Sequence, residues 1–355
     1  MTQTAPASPA VPVLSVVVPA YNEQEVLPEF HRRTVAALDA LDVTYEIIYV
    51  NDGSRDSTME VLRGLHAADP RAVVVSLSRN FGKEAAMTAG FEHARGQAVV
   101  IIDSDLQDPP ELIGKLMEGW REGYDMVYAR RRRRDGESFI KKLTAKSFYR
   151  VIRSVSRVQI PTDTGDFRLL SRRAVDALLK LREEHRFMKG LFSWIGFKQK
   201  AVEYDRDARF AGVTKWNYWK LWNYAIEGIT SFTIAPLKVA TYLGFFVALF
   251  SFLYAAFVIY KTIAYGESVA GYPSLMVVIL FLGGVQLLFI GVLGEYVGRT
   301  FNEVKGRPLY FVGELLREDE PAGNGDTPRF LAKGDSPVFV DSAARAPRPA
   351  PLAEG

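Results

Sequence analysis

The chain has 355 residues, a formal net charge of +3 and 48% hydrophobic residues, which is enough for one large domain with extra segments or for two modest domains. It contains no cysteine, so disulfides and thiolate metal sites are excluded. The four histidines show no paired ligand spacing, and we therefore do not expect a zinc enzyme. Residues 1–12 lack the basic start and apolar core of a secretory signal, and we predict a flexible N-terminal segment.

Strand-like and helix-like patterns alternate over the first hundred residues. Apolar runs predict strands at residues 13–18, 45–50, 72–77 and 98–102. Between them we expect one helix at about 25–41, a second that begins at residue 56 or 57, and a third that ends at about residue 94. The runs are almost entirely apolar, as expected for strands whose two faces are both buried. This alternation predicts an α/β domain with a mostly parallel sheet and right-handed crossovers. Further strands are expected at 124–129 and 199–204.

Acidic residues stand where these strands end. Glu23 and Asp52 follow the first and second strands, and Asp103 and Asp105 follow the fourth. If the fourth strand extends through Ser104, alternation sends both of its aspartates to the same side. Two carboxylates there suit a divalent cation. A polar turn that uses Asp only for turn chemistry remains the alternative.

Two phosphate-binding signatures are absent from the sequence. No G-x-G-x-x-G follows the first strand, and no G-x-x-x-x-G-K-[ST] occurs anywhere. A diphosphate ligand would therefore need a bound cation to neutralise its charge, and the aspartate pair offers a place for one.

Three turns in order carry a resemblance to a known family. The turns at 19–23 (PAYNE), 51–54 (NDGS) and 103–105 (DSD) resemble those of family 2 glycosyltransferases with the nucleotide-sugar-binding GT-A fold. The longer string at 103–111 (DSDLQDPPE) is similar to the polyisoprenyl-phosphate glycosyltransferases, relatives of dolichol-phosphate mannose synthase and of bacterial undecaprenyl-phosphate transferases. The resemblance covers about residues 13–312.

The resemblance implies roles for particular residues. Asp103 and Asp105 are expected to hold Mg²⁺ or Mn²⁺, and Gln107 is expected to position the metal or the sugar. The nucleotide would be bound by Pro19, Tyr21, Glu23, Asp52, Lys83, Asp103 and Ser104.

The acceptor side is expected downstream. The segment at 162–170 resembles one in which an acid and an arginine face the transferred sugar, so Asp166 is either a general base or a sugar contact. The acceptor phosphate would be bound by Arg130, Lys142, Arg168 and Arg209, the last in a loop that matches R-x-x-G-x-[ST]-K.

A basic stripe follows the fifth strand. Residues 130–157 hold eleven Lys or Arg residues. At about 138–157 the basic residues recur at helical spacing with apolar residues mostly on the other side, which is typical of a helix at an anionic membrane surface. There are two alternatives: a nucleic-acid patch, suggested by five consecutive arginines at 130–134, and a solvated face. The apolar segments downstream favour the membrane, and we therefore expect no nucleic-acid partner.

The membrane segments come last. We place the catalytic domain at 13–215, an aromatic interfacial helix at 216–236 and two transmembrane helices at about 237–260 and 274–297 within 237–298. Gln286 lies within the second span and is expected to face a neighbouring helix or, in a homo-oligomer, another subunit. The distribution of basic residues predicts that the catalytic domain and both termini lie in the cytoplasm. We expect the membrane to be a bacterial inner membrane. The tail at 299–355 is expected to be largely disordered after residue 317.

Together these features predict an inverting enzyme that transfers a single sugar from a nucleoside diphosphate to a polyprenyl phosphate. UDP-glucose is the default donor, because the string at 103–111 most resembles the bacterial glucosyltransferases. A processive polysaccharide synthase is the first alternative, although its Q-x-x-R-W motif is not found. A non-catalytic membrane scaffold is the second, although it would not need the acids at the strand ends.

Overall fold

A computed structural model describes residues 11–132, 164–184, 186–204, 235–265, 271–318, 329–330 and 338–339. The chain divides into a sheet unit (residues 1–143, 160–215 and 307–355) and a hairpin unit (144–159 and 216–306). Lys142, Arg209, the predicted basic helix and residues 216–234 of the aromatic segment lie outside the described residues. The expectations for them remain predictions.

The sheet unit is built on one eight-stranded sheet with the order β7-β5-β6-β4-β1-β2-β3-β8. Six strands point the same way, while β6 and β8 run antiparallel to their neighbours. The strands are β1 Leu14–Ala20, β2 Tyr45–Asn51, β3 Ala72–Leu77, β4 Ala98–Ile101, β5 Met126–Arg131, β6 Thr164–Ser171, β7 Gln199–Tyr204 and β8 Val312–Leu316. The predicted α/β class with a mostly parallel sheet is confirmed.

Helices cover the faces of this sheet. They are α1 Leu27–Asp39, α2 Thr58–Ala68, α3 Lys83–His93, α4 Ile113–Arg121, α5 Arg172–Leu179 and α6 Met188–Trp194, with a short 3₁₀ turn at Pro110–Leu112. Because helices lie on the sheet, Val16, Val17 and Val18 on β1 are all fully buried. The predominance of apolar residues in these strands is thus explained by burial on both faces.

The fourth strand is shorter than predicted. β4 pairs with β1 and with β6 only as far as Ile101, and the chain then enters a turn in which Leu106 has a φ of 57°. The extension through Ser104 is therefore wrong, because the ladder with both neighbours ends before the aspartates. Asp103 and Asp105 lie in a turn beyond the strand.

The segment after Gly306 returns to the sheet, which the sequence analysis did not predict. Strand β8 pairs antiparallel with β3, and the Ser78 N–H donates to Phe311 O at 2.9 Å. The guanidinium of Arg317 lies 3.6 Å from Glu46 and donates to His93 O at 2.6 Å. These contacts hold β8 in place as the edge strand next to β3. Two further short strands, Arg329–Phe330 and Val338–Phe339, pair with each other.

The hairpin unit contains two long apolar helices, α7 Ala235–Tyr265 and α8 Tyr272–Lys305. Both are long and apolar enough to cross a membrane, which needs about 20 residues. Helix α8 continues past the predicted end of its span, and Arg299 pairs with Glu295 one turn earlier at 3.0 Å. It ends at Gly306, whose left-handed φ of 60° terminates the helix.

Gly53 holds two loops of the sheet unit together. It has a φ of 62°, and a Cβ added to it would lie 2.3 Å from the backbone carbon of Arg79. No side chain fits there without moving the loop at residues 79–83. Gly64, in the exposed middle of α2, meets nothing within 4 Å and therefore serves as a matched control.

We predict that Gly53→Ala lowers the free energy of unfolding by at least about 1–2 kcal/mol, since a non-glycine residue is strained in the left-handed region. Gly64→Ala should raise it by about 0.5–1 kcal/mol, because alanine is the better residue inside a helix. Urea titration of the full chain in detergent, followed by circular dichroism, measures both. Equal stability of the two variants would contradict the close approach at Gly53.

Candidate active site

The site lies at the carboxyl edge of the parallel strands. The loops after β1 and β2 are joined there by side-chain hydrogen bonds. The Asn22 N–H donates to Ser54 Oγ at 3.0 Å, and the Arg55 N–H donates to Asn22 Oδ1 at 2.9 Å. The Glu23 N–H donates to Thr58 Oγ1 at 2.9 Å. These bonds fix the turn that contains three predicted nucleotide ligands, in which Pro19 is partly buried and Tyr21 is 37% exposed.

Asp52 organises the next loop. Its carboxylate accepts the backbone N–H groups of Phe81 at 2.7 Å and Gly82 at 3.0 Å. Burial raises the pKa of Asp52, while these two hydrogen bonds oppose the rise. The loop so held leads directly into Lys83, the first residue of α3. The predicted nucleotide ligand Asp52 therefore has a structural task as well.

The turn after β4 presents its acidic side chains to solvent. Asp103, Asp105 and Gln107 are partly exposed, whereas Ser104 between the two aspartates is only 4% exposed. The Gln107 N–H donates to Asp105 Oδ1 at 3.1 Å, a local bond of the kind that aspartate makes in turns. Both roles proposed for this motif are thus compatible, because Asp105 shapes the turn through one carboxylate oxygen while the side chains of Asp103 and Asp105 stay partly exposed.

Lys83 joins the two predicted halves of the site. Its Nζ lies 2.6 Å from Asp103 Oδ1 and 2.6 Å from Asp166 Oδ2. These three residues come from α3, from the turn after β4 and from β6. The structure therefore brings together a predicted nucleotide ligand, a predicted metal ligand and the predicted acceptor-side acid.

The same region contains further charged side chains. We refer to Lys83, Glu84, Asp103, Asp166, Arg168 and Lys189 as the charge cluster. Although burial raises the pKa of Asp166, the charges of Lys83 and Lys189 hold it well below its usual range. Burial lowers the pKa of Lys83, but Asp103 and Asp166 outweigh it and hold the pKa well above its usual value. Asp166 and Lys83 are consequently both charged near neutral pH.

The two described arginines among the predicted acceptor ligands differ in exposure. Arg168 is 4% exposed, lies 3.9 Å above the ring of Phe192 and donates to Gly165 O at 2.9 Å. Burial lowers its pKa to about 10. Arg130 is about half exposed and pairs with Glu203. The burial of Arg168 favours a role in holding β6 over one in binding a lipid phosphate.

Sequence reasoning missed two members of the charge cluster. Burial, with the nearby charge of Asp166, raises the pKa of Glu84 to about 8, and its carboxylate accepts the Met188 N–H at 3.3 Å. Lys189 is partly buried beside Asp166. An acid in the first turn of a helix and a lysine in an amphipathic segment are common, so neither position gave a signal.

A buried hydrogen bond supports the turn after β4 from behind. The hydroxyl of Tyr204 donates to Asp108 Oδ1, and Asp108 is only 2% exposed. This bond ties the turn to β7, the outermost strand at that edge of the sheet. Asp108 was part of the recognised string, but nothing in the sequence identified Tyr204 as its partner.

The donor set fits a divalent cation that binds together with a substrate. Asp103 and Asp105 offer partly exposed carboxylate oxygens, the ligands that Mg²⁺ and Mn²⁺ prefer. Among the described residues, no three His, Cys, Asp or Glu side chains gather to hold a metal ion by themselves. Mg²⁺ is typically held by one or two carboxylates together with substrate phosphates, so two aspartates suffice if a diphosphate completes the site.

Comparisons with known proteins agree with this geometry. The model for glycosyl transferase family 2 matches residues 15–179, and the model for the GtrB C-terminal hairpin matches residues 235–300. An uncharacterized glycosyltransferase of Synechocystis is 56% identical over 85% of this chain and 95% of its own length. The bactoprenol glucosyl transferase of Shigella phage SfII is 50% identical over 86% of this chain and 98% of its own length.

A prophage bactoprenol glucosyl transferase homolog of Escherichia coli is 48% identical over 86% of this chain and 99% of its own length. Similarity of this degree extends over both the sheet unit and the hairpin unit. With the GT-A sheet and the acids at its carboxyl edge, it shows that the chain belongs to the family 2 glycosyltransferases, among those that use a polyprenyl phosphate as acceptor.

Proposed function

We propose that this enzyme transfers one glucose from UDP-glucose to a polyprenyl phosphate, with inversion at the anomeric carbon, at the cytoplasmic face of the membrane. The observation that carries the proposal is the bridge from Asp103 through Lys83 to Asp166. It sets a donor-side acid and an acceptor-side acid on either side of one ammonium. The names of the Shigella and Escherichia coli relatives support the choice of glucose and of the lipid.

On the donor side, the turn at residues 19–23 and Asp52 hold the nucleoside. Asp103 and Asp105 would hold Mg²⁺ or Mn²⁺, and the bound cation would stabilise negative charge on the departing diphosphate. Gln107, on the same turn, positions the metal or the sugar. Lys83 adds a positive charge next to Asp103, where the diphosphate oxygens would lie.

On the acceptor side, an oxygen of the lipid phosphate attacks the anomeric carbon as the bond from that carbon to the diphosphate breaks. A phosphate monoester is already ionised at neutral pH, so the reaction does not require a general base. Asp166 has a strongly lowered pKa and is paired with Lys83, which makes it a poor proton acceptor. We therefore assign Asp166 to contact with the sugar and to orientation of Lys83.

The lipid acceptor explains why the enzyme would carry two apolar helices. A polyprenyl acceptor cannot leave the bilayer. Tethering the enzyme to the same membrane therefore raises the effective concentration of the acceptor at the active site. Arg299, Lys305 and Arg307 follow the second apolar stretch, whereas the connection at residues 261–272 holds one basic residue, Lys261. This asymmetry supports a cytoplasmic catalytic unit.

We expect purified enzyme to form a lipid with one sugar when it is given labelled UDP-glucose and undecaprenyl phosphate. A panel of UDP-glucose, UDP-galactose, UDP-N-acetylglucosamine and GDP-mannose, with extraction of the lipid phase, identifies the preferred donor. Preference for another donor would overturn the assignment of UDP-glucose. A polymer instead of a single-sugar product would indicate a processive synthase.

We predict that Asp105→Ala lowers transfer on the order of 100-fold or more, as expected when a group that stabilises developing charge is removed. Membrane insertion should be unaffected, because Asp105 lies in the sheet unit. Asp176→Ala is the matched control, since Asp176 is exposed on α5 and should retain full activity. Titration of UDP-loaded protein with Mn²⁺ supplies a second measurement. Undiminished activity and Mn²⁺ affinity in Asp105→Ala would remove the metal assignment.

The absence of cysteine allows a direct test of topology. In intact cells, Ser268→Cys, between the two apolar helices, should react with a membrane-impermeant maleimide. Lys180→Cys, on the sheet unit, should react only after permeabilisation. The opposite pattern would place the catalytic unit outside the cytoplasm.

A further inference from the structure

Helix α6 is docked onto the charge cluster at two points. The Met188 N–H donates to the Glu84 carboxylate on α3 at 3.3 Å. The ring of Phe192 lies 3.9 Å below the guanidinium of Arg168 on β6. Lys189 lies between these contacts in the sequence and is three residues before Phe192, so the two side chains share a face of the helix. The docking therefore directs Lys189 toward the cluster.

Lys189 differs from the other basic residues of the cluster. Lys83 is paired with Asp103 and Asp166, and Arg168 donates to backbone carbonyls. Within the part of the chain that the structure describes, the Lys189 ammonium makes neither a hydrogen bond nor an ion pair. It is nevertheless partly buried. A partly buried ammonium without a partner is costly, and an anionic ligand would remove that cost.

The position of Lys189 relative to Asp166 favours the acceptor over the donor as its ligand. Lys83 separates Asp103 from Asp166, and α6 packs through Phe192 on Arg168, which lies two residues from Asp166 on β6. The charges of Lys189 and Asp166 act on each other. Lys189 therefore belongs to the Asp166 side. The same helix ends at Trp194, which is 58% exposed. An exposed tryptophan ring offers an apolar surface with a polar edge, which suits a lipid ligand better than a soluble nucleotide.

We propose that Lys189 binds the phosphate of the polyprenyl acceptor, as a phosphate ligand supplied by α6. This inference rests on the proposed function, since it names the acceptor contact of the same site. It adds a described residue to the acceptor ligands and removes the need for the buried Arg168 to fill that role.

The experiment uses the full-length enzyme in detergent with UDP-glucose and a short, soluble prenyl phosphate. Lys189→Met should raise the KM for the prenyl phosphate by roughly tenfold or more, the usual effect of losing a hydrogen bond to a charged group. The KM for UDP-glucose should stay within about twofold of the wild-type value, because the donor side keeps its ligands. Lys189→Arg, which retains the charge, should recover most of the acceptor affinity. Lys180→Met is the matched control, since Lys180 is exposed at the end of α5.

Calorimetric titration of UDP-loaded protein with the prenyl phosphate provides a readout that does not depend on turnover. Its affinity should fall in Lys189→Met and not in Lys180→Met. A rise in the KM for UDP-glucose alone would place Lys189 on the donor diphosphate and overturn the proposal, as would an unchanged acceptor affinity. If the wild-type enzyme itself transfers no glucose to the prenyl phosphate but does bind it, the proposed function fails while the binding assay still decides the role of Lys189.

Discussion

The ion pairs of Lys83 are the interaction on which the arrangement of the site depends. Asp103 and Asp166 are 63 positions apart in the chain and lie on different segments, yet one ammonium contacts both at 2.6 Å. Without that positive charge, two carboxylates would face each other at the same edge of the sheet and repel. Because Lys83 begins α3, its position is set by the loop that Asp52 holds. The charge balance of the site is therefore linked to the packing of three loops.

Topology explains why these loops meet. Strands β1, β2 and β4 are parallel neighbours or share a neighbour, so their carboxyl ends lie along the same edge, where open α/β sheets bind their ligands. Strand β6 enters between β4 and β5 in the opposite direction. Its start therefore reaches the edge at which the parallel strands end, and Asp166 arrives there from the other direction. One reversed strand thus adds Asp166, the proposed acceptor-side acid, to the edge at which we propose that the nucleotide binds.

The remote contacts of the sheet unit hold this edge in place. Tyr204 on β7 supports Asp108 behind the turn after β4, and Phe311, just before β8, lies edge-on to Phe81 at a ring distance of 6.2 Å. Phe81 belongs to the loop that Asp52 fixes. Both outer strands of the sheet thus reach loops of the site. A site whose supports lie on rigid strands keeps its geometry better than one built on loops alone.

Much of this protein was predictable from the sequence because the relevant signals are local. Largely apolar runs identified strands β1 to β4, since burial on both faces favours apolar residues at most positions. The turns after those strands carried the family resemblance, and apolar length identified α7 and α8. By contrast, β8 is a short segment whose partner β3 lies more than two hundred residues earlier, and no local pattern encodes such a pairing.

The sequence by itself determined the class of fold, the two apolar helices and the acids that a diphosphate-bound cation requires. Only the tertiary structure decided where those acids lie and what they contact. It ended β4 at Ile101 because both neighbouring ladders stop there, it buried Arg168 against Phe192, and it placed Lys83 between Asp103 and Asp166. It also brought Lys189 to the acid of β6. Each of these outcomes depends on the distance between residues that are far apart in the chain, which local periodicity does not contain.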